Sequence, residues 1–330
     1  MKICKWGILG PGKIANKFAV ALTQTEGARL EAVASRDAGR SREFAAAHGA
    51  ARWYDNYEQL AADPAIDAVY IATPHGFHAE HALLCLRHGK AVLCEKPMAL
   101  FNGQVREMVD AARTNNVFLM EAMWTRFLPI MEKTMELIRE GRIGSVRQVR
   151  ADFGFLAPFN PDGRLYNLRL GGGSLLDIGV YPLFLCLQLL GEPDSIRAAG
   201  HLAPTGADET CHALLQYHDG RNAAFSSTLA CPSGIKAEIC GTEGIIELPS
   251  PWYKNDKLVL RPGADQKASQ PQTIQLEPMV NGFEYQIREV MQCLAEGRIE
   301  SPKMSHAFSL TMSKVMDAIR GQIGVKYAGE

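Results

Sequence analysis

Three stretches of this 330-residue chain hold residue types that could do chemistry. The first is Cys94-Glu95-Lys96-Pro97, which closes an apolar run over residues 91–94. A lysine at the end of a buried strand costs desolvation energy unless it has a partner or a task. Pro97 also suits the first position of a helix, so a helix entry is the plainer reading. The second stretch runs Gly171-Gly172-Gly173-Ser174-Leu175-Leu176-Asp177-Ile178-Gly179-Val180-Tyr181-Pro182. Its glycines free the backbone before a helix N-terminus, where Ser174 is a candidate N-cap. Asp177 and Tyr181 are four apart and share one helical face. Amid apolar neighbours, these two polar groups need partners or a wet cleft.

The third stretch is Gly10-Pro11-Gly12-Lys13-Ile14-Ala15, between an apolar run over residues 3–9 and a helical pattern over 14–22. In a G-x-G-x-x-A turn the first glycine allows the tight bend and the second lets a pyrophosphate approach. The small Ala15 lets helix and strand pack closely, and Lys13 and Ile14 open the helix whose N-terminus faces the anion. Ser35-Arg36-Asp37 ends the next apolar run. An acid there would bind the ribose hydroxyls of NAD, whereas Ser35 with Arg36 suits the 2′-phosphate of NADP. This reading favours NADP, and Asp37 keeps NAD possible. Thr73, Pro74, His75 and His78 follow the third run and should face the cofactor. His75, His78 and His81 lie on a drifting face with no acid or cysteine to complete a ligand set, so no metal site is expected.

The elements that must position these residues follow from periodicity. Apolar runs at 3–9, 30–35, 68–72, 91–94 and 117–120 alternate with helical patterns at 14–22, 40–48, 78–88 and 103–113. This predicts βαβ units and a parallel sheet over residues 1–122, a Rossmann-type dinucleotide-binding domain. Ligands of such sheets bind beyond the strand carboxyl ends. Residues 123–330 read differently. Helical patterns at 129–140 and 174–190 flank a strand at 146–155, and strands follow at 195–201, 212–218, 222–229, 235–240, 245–248 and 257–260. Short turns join several of them, which predicts an α+β domain with an open, mainly antiparallel sheet for substrate binding and oligomerisation. Helical patterns at 283–296 and 305–321 end the chain. The strands at 223–229 and 235–240 supply more apolar surface than nearby helices can cover, which predicts a homodimer or higher homo-oligomer.

Composition fits a small-molecule enzyme of about two domains, with 47% hydrophobic residues. The net charge of −1 points to neither nucleic acid nor an anionic membrane as partner. The longest apolar run, 175–190, is broken by Asp177 and Pro182 and is too short to span a bilayer. There is no signal-peptide pattern, and the eight cysteines form no C-x-x-C, so a cytoplasmic protein with reduced thiols is expected.

The glycine turn, Glu95-Lys96-Pro97, Glu121-Ala122-Met123-Trp124-Thr125-Arg126-Phe127 and the stretch from Gly171 to Tyr181 occur in an order that resembles the Gfo/Idh/MocA oxidoreductases over nearly the whole chain. Within that family the chain is most similar to the branch of dimeric trans-dihydrodiol dehydrogenases and NADP-dependent D-xylose dehydrogenases. The resemblance implies that Lys96 is at the active site with Glu95 and Pro97 beside the cofactor, and that the Lys96–Pro97 peptide is cis. Many members carry Asp-x-x-x-His where this chain has Asp177 and Tyr181. Tyrosine there is similar to the dihydrodiol branch and departs from the His-bearing members and their sugar and inositol substrates. It implies hydride transfer between nicotinamide and the carbinol or carbonyl carbon of a sugar, polyol or trans-dihydrodiol.

A tyrosine of ordinary pKa, about 10, is too weak a base at neutral pH. A nearby lysine cation favours its phenolate. Tyr181 is then the general acid/base, Lys96 its electrostatic partner, and Asp177 orients Lys96 or a substrate hydroxyl. The inverse, with Lys96 relaying the proton, stays open. Trp124, Arg126 and Phe155 are candidates for the cleft wall, with Trp124 and Arg126 near the cofactor. The alternatives are an inositol, anhydro-sugar or biliverdin-type reductase, or a non-catalytic cofactor-sensing regulator.

Overall fold

The computed structural model describes residues 3–263 and 270–329. The chain forms two units, Met1–Phe127 with Val280–Ser313, and Leu128–Met279 with Lys314–Glu330. The first unit therefore runs on to Phe127 and takes back Val280–Ser313, which the sequence reading placed in the second domain.

In the first unit, strands β1 (Cys4–Leu9), β2 (Ala28–Ala34), β3 (Arg52–Tyr54), β4 (Ala68–Ile71), β5 (Ala91–Glu95) and β6 (Leu119–Ala122) alternate with helices α1 (Lys13–Thr23), α2 (Ala38–His48), α3 (Tyr57–Ala62), α4 (His78–Arg87) and α5 (Asn102–Thr114). All pairings are parallel, in the order β3-β2-β1-β4-β5-β6. Every residue of β4 and β5 is buried, as expected when helices cover both faces of a parallel sheet. The order reverses between β1 and β4, the switch point at which such sheets bind ligands. Two elements escaped the sequence reading here: β3 is a three-residue exposed edge strand, and α3 is a six-residue helix capped by Asn56.

The second unit opens with α6 (Pro129–Arg139) and β7 (Val146–Gly154), followed by α7 (Val180–Leu190) and then β8 (Ser195–Leu202), β9 (Asp208–Gln216), β10 (Asn222–Thr228), β11 (Ala237–Gly241), β12 (Gly244–Leu248), β13 (Lys257–Pro262) and β14 (Gln272–Gln275). Helices α8 (Phe283–Ala295) and α9 (His306–Ile323) complete the chain. The eight strands form one sheet, β14-β13-β12-β11-β7-β10-β9-β8. Only β7 and β10 pair in parallel, so the sheet is mainly antiparallel as expected.

Alternation sorts this sheet's faces. Val149, Ala151, Phe153, Ala223, Phe225 and Ser227 are buried, and α7 packs on β7 and β10. The other face is polar, with Gln148 bonded to Asn222 at 2.8 Å, Thr210 to Thr228 at 2.8 Å, and Arg150 paired with Glu238 at 3.6 Å. The apolar residues of β10 and β11 thus point toward the helix, and the uncovered apolar face expected from sequence is absent among the described residues. The helical stretch Leu168–Leu190 is also longer than its apolar run suggested. By length and hydropathy it could cross a membrane, yet 89% of its most apolar window is buried within the protein, which marks a core helix.

Candidate active site

The glycine turn after β1 is shaped for an anion. Gly10 has φ +86°, and a Cβ there would lie 2.9 Å from Thr73 Cγ2 and 3.0 Å from the Ala72 carbonyl oxygen. Glycine is therefore required both by the backbone and by the close approach of the β1 and β4 ends. Gly12 differs, because its missing Cβ faces open space. It caps α1 without a side-chain bond, and the first turn of α1 holds no acid. An uncapped, acid-free helix N-terminus facing open space fits a dinucleotide's pyrophosphate, with the backbone N–H groups of Lys13 and Ile14 as donors.

At the end of β2, the buried Ser35 hydroxyl accepts from the Asp37 N–H at 3.2 Å, and Asp37 accepts from the Arg40 N–H at 3.1 Å. Asp37 is thus the N-cap of α2. Arg36 is exposed, with its guanidinium 5.6 Å from the Phe77 ring centroid. Next to it burial and the Arg36 charge hold His81 at about 4, so His81 is neutral, and Thr73 Oγ1 lies 2.9 Å from its Nδ1. Arg36 therefore lies near Phe77 and His81, which follow β4.

His75 opens a short 3₁₀ turn, with its ring 5.5 Å from that of His78. His78 is fully buried, and its two ring nitrogens lie 2.8 Å from the Thr73 and Pro97 carbonyl oxygens. Burial pushes its imidazole down to about 4 against the pull of these two acceptors. The neutral ring is thus fixed between two backbone carbonyls and donates to one of them, which makes His78 a support of the site. No group of three or more metal-ligating side chains occurs among the described residues.

The turn after β5 carries Glu95, Lys96 and Pro97, and the Lys96–Pro97 peptide is cis. Glu95 accepts from the Tyr70 hydroxyl and from the Lys96 N–H at 3.2 Å. Lys96 is the half-buried member of an otherwise buried turn. Trp124 and Arg126 are buried in the same unit, where Trp124 stacks on Phe283 with centroids 5.1 Å apart and Arg126 Nε donates to the Lys303 carbonyl at 3.2 Å.

In the second unit, Asp177 lies in a π-helical turn, Leu175–Gly179, and Tyr181 in the first turn of α7. The pair therefore spans a junction of two helix types, and such widened turns recur at functional sites. Arg164 Nη1 lies 2.6 Å from Asp177 Oδ1, in a pair the sequence did not signal because residues 156–170 have no periodicity. Ser174 is not the N-cap. It has helical backbone angles, and its hydroxyl donates to Asp208 Oδ2 at 2.7 Å. Asp208, from β9, instead accepts the Leu175 N–H at 2.6 Å and serves as the cap. A Cβ on Gly173 would fall 2.2 Å from Asp208 Oδ1, so this glycine makes room for the capping carboxylate.

Tyr181 is 7% exposed, and its ring lies 5.7 Å from Phe153 and 5.1 Å from Tyr253. Phe153 and Tyr253 stack at 4.4 Å. These two neighbours were not anticipated, since each reads as an ordinary strand or turn aromatic. The half-buried Phe155, the cleft-wall candidate, extends the same strand end.

The chain is similar to known proteins over nearly its whole length. The profile of an oxidoreductase family with an NAD-binding Rossmann fold, GFO_IDH_MocA, matches residues 4–123, and that of the GFO/IDH/MocA C-terminal domain matches residues 131–247. A trans-1,2-dihydrobenzene-1,2-diol dehydrogenase of Xenopus laevis is 42% identical over 98% of this chain and 99% of its own length. Among solved structures, a 3-ketoreductase from Actinomadura kijaniata in complex with NADP is 25% identical, with a TM-score of 0.86 over 98% of each chain. A variant of that enzyme with a tyrosine replaced by phenylalanine and another with a lysine replaced by glutamate match at 25% identity and TM-scores of 0.86 and 0.83, each over 98% of both chains. An aldose-aldose oxidoreductase from Caulobacter crescentus is also 25% identical, with a TM-score of 0.87 over 97% of each chain. With both halves of the chain matched and its β1–α1 turn open to a pyrophosphate, this protein is an NAD(P)-binding oxidoreductase that belongs to the Gfo/Idh/MocA family.

Proposed function

We propose that this chain is an NADP-dependent dehydrogenase that oxidises a CH–OH group of a trans-dihydrodiol, sugar or polyol and reduces the carbonyl in the reverse direction. The observation that carries this reading is the setting of Tyr181, a phenol buried among Phe153 and Tyr253 with the Asp177–Arg164 pair one turn earlier. Flat aromatic faces suit a ring-shaped substrate, and the phenol is the group within it that can exchange a hydroxyl proton. A relative 42% identical that is named a trans-1,2-dihydrobenzene-1,2-diol dehydrogenase supports the substrate class. The ketoreductase variants altered at one lysine and one tyrosine support the pairing of residue types.

The bound nicotinamide supplies the hydride acceptor for oxidation and the donor for reduction. Tyr181 takes the hydroxyl proton as the carbon loses hydride, and returns it in reduction. Lys96 supplies the positive charge that favours phenolate. Asp177, held by Arg164, orients a substrate hydroxyl. NADP is favoured because Asp37, the acid that would bind NAD's ribose, is engaged as the α2 cap while Arg36 is exposed beside neutral His81. The protein is read as a cytoplasmic homodimer or higher homo-oligomer, a reading that rests on the family resemblance.

The test is turnover of trans-benzene dihydrodiol, D-xylose and a panel of aldoses and polyols, followed by NADPH absorbance, with NAD under matched conditions. Oxidation of at least one diol or sugar with NADP preferred is expected. Preference for NAD, or no turnover across the panel, overturns the respective part of the reading.

A further inference from the structure

Glu121 ends β6 and is 1% exposed, so it is a carboxyl inside the first unit with no solvent to hold its charge. Both of its oxygens are engaged. Oε1 accepts from the Met98 N–H at 3.0 Å, and Oε2 from the Ser309 hydroxyl at 2.7 Å. Met98 is two residues beyond Lys96, and Ser309 lies in the first turn of α9, in the same unit. One carboxyl therefore ties the end of the lysine turn to a helix nearly two hundred positions along the chain.

The rest of the turn is held in the same way. Glu95 is bonded to Tyr70, and the Pro97 carbonyl faces His78 at 2.8 Å. Glu121 thus anchors the Met98 N–H, between the Lys96 N–H bonded to Glu95 and the Leu100 N–H bonded to Gln104. Burial raises the Glu121 carboxyl to about 7, with the Glu95 charge acting in the same direction and Lys96, Ser309 and Met98 opposing. A carboxylate so placed costs folding free energy that an apolar residue would not, so its presence calls for a task beyond packing.

We infer that Glu121 is a positioning residue for Lys96, fixing the lysine's backbone through the Met98 N–H and so the direction in which its side chain leaves the turn. The inference rests on the reading of Lys96 as the electrostatic partner in proton transfer, and it adds that the partner's aim is set from β6 and α9. Glu121 touches no reacting atom. Its loss should lower turnover while leaving nucleotide binding intact, since the pyrophosphate turn lies on other strands.

The experiment compares full-length Glu121→Leu, Glu121→Gln, Lys96→Met and the Glu121→Leu/Lys96→Met double variant. Glu121→Leu should lose about tenfold or more in kcat, with KM for NADP within about twofold. Glu121→Gln should recover most of that turnover, because an amide oxygen still accepts from Met98. The double variant should be no slower than Lys96→Met, since the two act through one group. A Glu121→Leu enzyme within about twofold of the parent overturns the inference, and so do losses that multiply in the double variant.

A readout independent of activity separates this claim from the catalytic reading. Lysines are reductively methylated with isotope, and the Lys96 signal is assigned by its absence in Lys96→Met. It should shift in Glu121→Leu and stay in place in Glu121→Gln, and an unmoved signal in Glu121→Leu overturns the positioning claim. Full activity in Lys96→Met would overturn the catalytic role of Lys96 while the resonance still decides the role of Glu121. Should Glu121→Leu not fold, Ser309→Ala removes one of the two bonds, and a smaller loss of the same kind is expected.

Discussion

Replacing Asp208 by Asn isolates the electrostatics of the cap on the Tyr181 helix. Asp208 is fully buried, and Oδ2 alone receives both the Ser174 hydroxyl and the Leu175 N–H. Burial raises its carboxyl from the ordinary 3.8 to about 6, since the hydrogen bonds that favour the charged form do not offset desolvation. A group protonated in the folded state and ionised in the unfolded state makes stability fall as pH rises between those two values. Two pKa units correspond to about 3 kcal/mol. Asn keeps an acceptor for the same donors and carries no charge to bury. The stability of Asp208→Asn relative to the parent should therefore improve by about 2–2.5 kcal/mol from pH 4 to pH 7, and then level off. Other titrating groups, including Glu121, His78 and His81, cancel in this difference because both proteins hold them. The assay is urea unfolding across that range, followed by the fluorescence of Trp252, buried in the same unit, with the other three tryptophans replaced in both proteins. A difference that does not vary with pH would refute the argument. Asp208→Ala, in contrast, strands two buried donors at about 1–3 kcal/mol each and should be destabilised at every pH.

Four other outcomes are expected. Arg36→Ala should raise KM for NADP roughly tenfold or more, the loss of one charge-assisted bond to a phosphate, and leave NAD nearly unchanged in steady-state kinetics. Tyr181→Phe should cut turnover by about 10²–10⁴-fold with nucleotide affinity intact by fluorescence titration, and Lys96→Met on top of it should add little. Gly12→Val should unfold within about 1 kcal/mol of the parent, because its Cβ enters open space, yet lose dinucleotide binding in calorimetry. Gly10→Ala should be clearly destabilised in the same unfolding assay, since a Cβ there meets the Ala72 carbonyl and Thr73 at φ +86°.

Much of this was legible in the residues because it rests on periodicity and on turn chemistry. Helices α1, α2, α4 and α5 and five of the first unit's six strands lie within a few residues of where apolar spacing put them. β3 and β14 were not legible: Arg52-Trp53-Tyr54 is too short for a period-two pattern to register, and Gln272-Thr273-Ile274-Gln275 is an edge strand with one apolar residue. The return of Val280–Ser313 to the first unit was invisible for another reason. An amphipathic helix shows that one face is buried but not which sheet or helix buries it, and α8 packs on α1. The Gly171–Gly173 run reads as freed backbone before a helix, yet Gly173 makes room for a carboxylate from β9 thirty-odd residues later, and Gly172 for the backbone of Leu165 and Asn167.

The candidate site shows the same division at finer grain. Lys96, Asp177 and Tyr181 stand out because ionisable groups in apolar runs are expensive, and that expense is readable from one chain. The groups that aim them do not stand out. Asp208 begins a strand where a polar residue needs no explanation, and Glu121 and His78, though singled out in the sequence, gave no sign there of the bonds they make. Each bonds at least one backbone N–H or carbonyl, which every residue carries, and the serines that also bond Glu121 and Asp208 lie far along the chain, so no nearby residue type marks the other end of the bond. Two of the three are carboxyls that burial raises to about 7 and about 6, and the third is an imidazole that burial lowers to about 4. Residues that hold reactive groups in place thus carry the same electrostatic cost as the reactive groups themselves. That cost becomes visible only once the fold shows which polar side chains are enclosed and what they are bonded to.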